Sequence, residues 1–181
     1  HTKFVRTSCL HFSVLAPDGT GRIMLRRGIG TKGPLEVLVP GHLEIALVHQ
    51  DFDLFPNHTI PELLGVKLRK YTYEYEEERI EYLLDLCDLR ELVKKTPKTL
   101  SGGQLQRLAI AYALCDEPEL VLLDEPFSHI DAPHKLEFKH LLDKISQEDG
   151  TTMILVTHDG LDALSLGSRI VMMRRGEIIQ D

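Results

Sequence analysis

Leu120-Val121-Leu122-Leu123-Asp124-Glu125-Pro126 is a run of four aliphatic residues that ends in two adjacent carboxylates and a proline. A short continuous apolar run closed by turn residues reads as a strand buried on both faces, as the strands of a parallel sheet are. Carboxylates at its carboxyl end then stand where such sheets bind ligands. Working outward, similar runs occupy Phe12 to Leu15, Leu43 to Val48, Met153 to Val156 and Ile170 to Met173. Between the later ones lie helical spacings. Ile80, Leu83, Leu84 and Cys87 fall at i, i+3, i+4 and i+7, and so do Phe138, Leu141, Leu142 and Ile145, each set lining one helix face. Strand alternating with helix predicts an α/β layer fold. Residues 61–98 interrupt the alternation with a charged helix over 76–95 and no strand behind it, so they read as a helical insertion. Glu74, Glu76, Glu77 and Glu78 fit the first turn of that helix, where the positive end of its dipole favours them. Segments 169–173 and 177–180 read as two strands around a tight glycine turn.

With 181 residues, 43% hydrophobic and 27% charged, the chain has the balance of an ordinary globular domain. At that length roughly 70% of the unfolded surface is buried without covalent staples. Cys9, Cys87 and Cys115 are odd in number and far apart, which points away from a disulfide framework or zinc ribbon and toward a reducing, cytosolic compartment. The longest apolar stretch, Leu108 to Cys115, has 8 residues, against the roughly 18 a membrane-spanning helix requires. No apolar segment suited to a signal peptide follows His1 to Arg6. A net charge of −7, from 28 acidic and 21 basic side chains, disfavours a broad nucleic-acid face.

Four further segments carry chemistry. Thr99-Leu100-Ser101-Gly102-Gly103-Gln104 precedes the apolar run beginning at Leu108 and reads as a helix start. Ser101 can cap it, the glycines admit a close neighbour, and the first-turn amides point toward an anion. Asp124 and Glu125 offer one carboxylate for magnesium and one to polarise a water. Ser128-His129-Ile130-Asp131 leads into a helix expected over 133–146. Thr157-His158-Asp159 closes the Met153 to Val156 strand, placing an imidazole at a strand's carboxyl end. Gln50 follows the Leu43 to Val48 strand, and its amide oxygen could reach a metal or a water. Each segment alone has an ordinary reading: a capped helix, an acidic turn, a surface histidine. Their order and their strand or helix settings are what set them apart.

Together they resemble the nucleotide-binding subunit of ATP-binding cassette (ABC) transporters. Leu100 to Gln104 resembles the signature motif, Leu120 to Pro126 the Walker B strand, Ser128 to Asp131 the D-loop, Gln50 the Q-loop and His158 the switch histidine. The resemblance implies a single domain over 1–181 with a P-loop NTPase-like core, a mostly parallel sheet, a helical subdomain at 61–115 and a reduced N-terminal antiparallel part. It implies ATP and Mg2+ as ligands. Glu125 would be the general base, His158 would contact the γ-phosphate, and Asp124 would hold magnesium with Gln50 beside it. Ser101, Gly102, Gly103 and Gln104 would cap a nucleotide bound on a second such domain, in a homo- or heterodimer, with Asp131 setting the interface. The further partners implied are transmembrane permease subunits, with the chain peripheral on the inner face of the cell membrane. Cassettes that act on DNA or ribosomes typically bear long coiled-coil insertions or paired cassettes, which this chain lacks, so no nucleic acid is expected.

The departure lies in the phosphate loop. The candidate is Leu15 to Leu25, with Asp18, Gly19, Thr20, Gly21, Arg22 and Ile23 as its nucleotide-binding residues. Against G-x-x-x-x-G-K-[ST], Ala16 replaces the first glycine, Arg22 the lysine and Ile23 the hydroxyl residue. Arginine's planar fork is bulkier than an ammonium, and isoleucine cannot ligate a cation. The spacing from Gly21 to Gln50 is also shorter than the family pattern, and Phe4 and Phe12 are the aromatic candidates for stacking on adenine. Two readings follow: a hydrolase that powers transport, or a nucleotide-binding or regulatory partner with impaired hydrolysis.

Overall fold

A computed structural model describes residues 2–6, 13–15, 22–25, 36–37, 45–48, 56–128, 130–166, 169–174 and 177–181. A six-stranded sheet is assembled from β1 (Thr2–Arg6), β5 (Ile45–Val48), β6 (Leu120–Asp124), β7 (Thr152–Thr157), β8 (Ile170–Arg174) and β9 (Glu177–Gln180). Its order is β5-β6-β7-β1-β8-β9. The β5, β6 and β7 strands run parallel, with Val48 opposite Leu123 and Leu123 opposite Leu155. These are the aliphatic runs of the sequence: Leu120, Val121, Leu123, Met153, Ile154 and Leu155 of β6 and β7 are buried, as strands covered on both faces require, while β5 buries Val48 and leaves Leu47 exposed.

Beyond β7 the sheet turns antiparallel, through β1, β8 and β9. The parallel arrangement expected of most of the sheet is thus confined to the half that carries Asp124, Glu125 and His158. The β1 strand was absent from the sequence reading. Thr2-Lys3-Phe4-Val5-Arg6 is short and mixes polar with apolar residues, so only pairing with β7 and β8 defines it.

A second sheet joins β2 (Ser13–Leu15), β3 (Arg22–Leu25) and β4 (Glu36–Val37) in the order β2-β3-β4. Val14 stands opposite Ile23 and Leu15 opposite Arg22 in antiparallel pairing. The phosphate-loop candidate of 15–25 does not run on into a helix: Arg22 and Ile23 belong to the returning strand of a hairpin. The segment from Phe12 to Leu15 likewise lies outside the parallel sheet, as far as it is described.

The helices are α1 (Ile60–Leu68), α2 (Tyr73–Leu86), α3 (Gly102–Leu114), α4 (Ala132–Glu148) and α5 (Gly160–Leu166). The charged helix expected over 76–95 starts earlier and stops sooner. Thr72 caps it by accepting from the Tyr75 amide. Asp88 then takes φ +52°, the left-handed conformation that closes helices, and the Leu89 amide donates to the Leu84 carbonyl at 2.8 Å. Arg90–Leu92 continues only as a 3-10 turn. Phe138, Leu141, Leu142 and Ile145, one face of α4, are all buried, as are Leu83, Leu84 and Cys87 at the end of α2. Each such side chain contributes about 1.5–3 kcal/mol by leaving water. Residues from α1, α2, α3, α4, β5, β6 and β7 share one apolar cluster, so the helical insertion and the parallel strands pack around a common core.

Candidate functional site

The first corner of the site is made by strand ends. Asp124, the last residue of β6, stands opposite Val156 of β7, so the two parallel strands finish at the same level. The next residue, Glu125, donates its amide to the Val156 carbonyl at 2.8 Å and adopts φ +49°. A non-glycine residue in that region costs on the order of 1–3 kcal/mol and persists only where its surroundings dictate it. Here the turn ends the strand and presents the carboxylate at the sheet's edge. Glu125 Oε1 lies 2.9 Å from His158 Nδ1. A carboxylate only accepts, so Nδ1 carries the proton and donates, leaving Nε2 as the nitrogen that can meet a ligand. Glu125 is 14% exposed and His158 is 70% exposed: the acid is sheltered and the imidazole faces outward.

The second corner is made by a helix start. Ser101 Oγ accepts from the Gln104 amide at 3.4 Å, and Gln104 Oε1 accepts from the Ser101 amide at 3.2 Å. This reciprocal capping box satisfies amides that the first helical turn leaves unpaired. A Cβ added at Gly103 would meet nothing within 4 Å. A cavity of about 290 Å³ opens beside these residues, with Ser101, Gly102, Gly103 and Gln104 on one side and Ile130 and Asp131 on the other. Arg107, His134 and Glu137 also line it, and the Arg107 guanidinium donates to Glu137 at 3.1 Å. The sequence reading passed over these three. Arg107 stands one helical turn beyond Gly103, a spacing that places both on one face of α3.

The structure therefore unites Glu125 with His158, and Ser101 to Gln104 with Asp131. Asp124 sits half-buried beside Glu125. Gln50 and Asp18 to Gly21 lie outside the described residues, as does Phe12. The β5 strand leading toward Gln50 is the parallel neighbour of β6.

The strand-end carboxylates, the imidazole and the capped glycine helix are features of one family. The ABC transporter family model matches residues 15–128, and the chain belongs to that family. It is 37% identical over 183 aligned positions to the spermidine/putrescine import ATP-binding protein PotA of Thermotoga maritima, a match that covers 93% of this chain and 50% of the relative. The molybdate/tungstate import ATP-binding protein WtpC of Pyrococcus abyssi is 35% identical over 184 positions, covering 94% and 54%. The chain thus spans about half the length of these curated relatives. Among solved structures, the dimeric ATP-binding cassette MJ0796 bound to ADP and Pi superposes with a TM-score of 0.64. That match has 34% identity and covers 76% of this chain and 61% of that one. The fold is that of the ABC ATPase cassettes.

Proposed function

We propose that this chain is the ATP-binding subunit of an ABC transporter, which binds and hydrolyses ATP where two such domains meet and so drives transport through membrane partner subunits. The observation that carries the reading is the 2.9 Å contact between Glu125 and His158 at the end of two parallel strands. In this reading the Glu125 carboxylate accepts a proton from the attacking water. The new bond runs from that water's oxygen to the γ-phosphorus, and the bond to the bridging oxygen breaks, releasing ADP and phosphate. A His158 ring protonated on both nitrogens would donate from Nδ1 to Glu125 and from Nε2 to a γ-phosphate oxygen, where charge gathers in the transition state.

Magnesium, when bound, would neutralise phosphate charge. Among the described residues, no group of three or more His, Cys, Asp or Glu side chains is placed to hold a metal unaided. The Asp124 carboxylate at the end of β6 suits an ion that takes one or two carboxylates and draws its remaining ligands from phosphate and water. Asp124 is the residue that would hold it, with Gln50 as the second ligand the family resemblance implies.

Ser101, Gly102, Gly103 and Gln104 serve a nucleotide on the partner domain, and the about 290 Å³ cavity they share with Asp131 lies beside the capped helix start. Relatives named for polyamine and for oxyanion import match this chain about equally well, so the transported substrate is assigned to the membrane subunits and the direction to import. No helix among the described residues is long and apolar enough to cross a membrane, and we place the subunit peripherally on the inner face.

A second reading rests on Arg22 and Ile23, which occupy a hairpin strand and supply neither the lysine nor the hydroxyl of the phosphate loop. In that case the chain lends its signature helix to another subunit and hydrolyses slowly itself. Single-turnover ATP hydrolysis separates the two. A rate well above that of Glu125→Gln supports the hydrolase, and a rate equal to that control supports the regulatory partner. Nucleotide affinity that is equal with and without magnesium would point the same way as the second result.

A further inference from the structure

His158 faces solvent over most of its surface, so burial does not hold its ring against Glu125 and something must hold its loop. Within that loop the Asp159 amide donates to Thr157 Oγ1 at 3.1 Å, and Asp159 Oδ1 accepts from the amides of Leu161 and Asp162 at 2.8 and 3.4 Å. These bonds tie the loop to the start of α5. The α5 helix has only 7 residues; it buries Ala163 but turns Leu161 and Leu164 outward, at 77% and 71% exposure, so its apolar face is small. Its one charged side chain is that of Asp162, a carboxylate only 9% exposed. The Lys135 ammonium of α4 donates to both of its oxygens, at 2.9 and 2.8 Å, and lies 3.9 Å from Asp159. A buried carboxylate that loses its cationic partner is left uncompensated.

The same ammonium stands 5.8 Å from the centre of the Phe127 ring. Phe127 is two residues beyond Glu125, and it packs edge to face on Phe138 of α4 at 5.3 Å. One charged group therefore reaches the segment that carries Glu125 and the segment that carries His158. It does so from the helix whose N-cap is Asp131.

We propose that Lys135 and Asp162 form a positioning clamp that sets the His158 imidazole at hydrogen-bonding distance from Glu125 and ties that distance to the orientation of α4, and so to Asp131. Its catalytic readout rests on the reading of Glu125 and His158 as the hydrolytic pair. Its geometric readout does not.

The test uses the whole chain and the variants Lys135→Met, Asp162→Asn, Lys135→Arg and the double variant K135M/D162N, with the exposed Lys94→Met as the charge-matched control. A positioning role predicts that Lys135→Met and Asp162→Asn each lower the single-turnover hydrolysis rate by roughly tenfold to a hundredfold, while half-saturation by ATP stays within about twofold. The double variant should be no slower than either single one, because both break the same contact. Lys135→Arg should recover to within about threefold, since it restores the charge and the donors. Without nucleotide, the His158 imidazole 15N shifts should move toward those of Glu125→Ala in Lys135→Met and in Asp162→Asn, and stay in place in Lys94→Met. A lower melting temperature with an unchanged rate per folded molecule and unmoved imidazole shifts would overturn the clamp. So would additive losses in the double variant. If the wild-type chain hydrolyses nothing, the hydrolase reading falls alone, and the imidazole shifts still decide the clamp.

Discussion

Ser101 and Gln104 hold each other across one helical turn, whereas Glu125 and His158 meet only because two parallel strands end at the same level. The helix-start corner is assembled from four consecutive residues and needs no help from the rest of the chain. The strand-end corner joins residues far apart in sequence. It depends on strand register, on a left-handed residue and, by our proposal, on a lysine from a third element. Local corners tolerate loss of distant packing, and non-local corners do not. Several substitutions would break or sharpen that contrast.

The largest effect is expected from Glu125→Gln. If Glu125 is the base, as proposed, removing its carboxylate while keeping its size should lower single-turnover hydrolysis by about 10²–10⁴-fold with nucleotide affinity little changed. Equal loss of affinity and rate would mean that Glu125 binds substrate and does no proton chemistry.

Next comes Leu123→Ala, which empties a 1% exposed position in β6 one residue before Asp124. Core truncations of this kind cost about 2–5 kcal/mol, measurable by urea unfolding. In the fraction that remains folded, the Glu125–His158 contact should loosen, seen in the imidazole shifts, while the amide resonances of residues 101–104 stay in place.

Ser101→Ala is the converse. Loss of the cap should cost about 1 kcal/mol, and the imidazole shifts should not move. Movement there would show that the two corners are coupled more tightly than the contacts indicate.

The smallest effect concerns the far end of α3. Burial would raise the Asp116 carboxyl, but Lys70, at 2.8 Å, and Lys67, at 3.3 Å, outweigh it and hold the group below its ordinary value. A carboxylate depressed in the folded state adds stability that is complete above its unfolded pKa, about 3.9. That stability is lost as pH falls through the lower folded value. Unfolding free energy measured from pH 7 down to pH 2 should therefore decline less steeply on the acid side in Asp116→Asn than in the native chain.

Much of the architecture was legible before any coordinates. The β6 and β7 strands read as aliphatic runs because strands covered on both faces carry apolar residues on both, whereas β5, at the edge, leaves Leu47 49% exposed. The α4 helix was plain from Phe138, Leu141, Leu142 and Ile145, since a helix that buries one side repeats its apolar residues at that spacing. The Ser101 helix start was readable because capping is a property of adjacent residues. The end of α2 was not, because a charged sequence runs on past Asp88 while the chain turns left-handed there. Nor was the hairpin at Arg22 and Ile23. Glycines spaced as in a phosphate loop also suit a turn, and only pairing of the flanking strands separates the two.

The sequence by itself determined which residue types carry the chemistry and the order in which they come, because helix caps, apolar periodicity and turn residues act over a few positions. Tertiary structure alone decided that the Glu125 carboxylate touches the His158 ring, that Asp131 shares a cavity with the signature helix, and that β1 enters the sheet between β7 and β8. Such facts depend on strand register and on packing between distant segments, for which the order of residues along the chain holds no local signal.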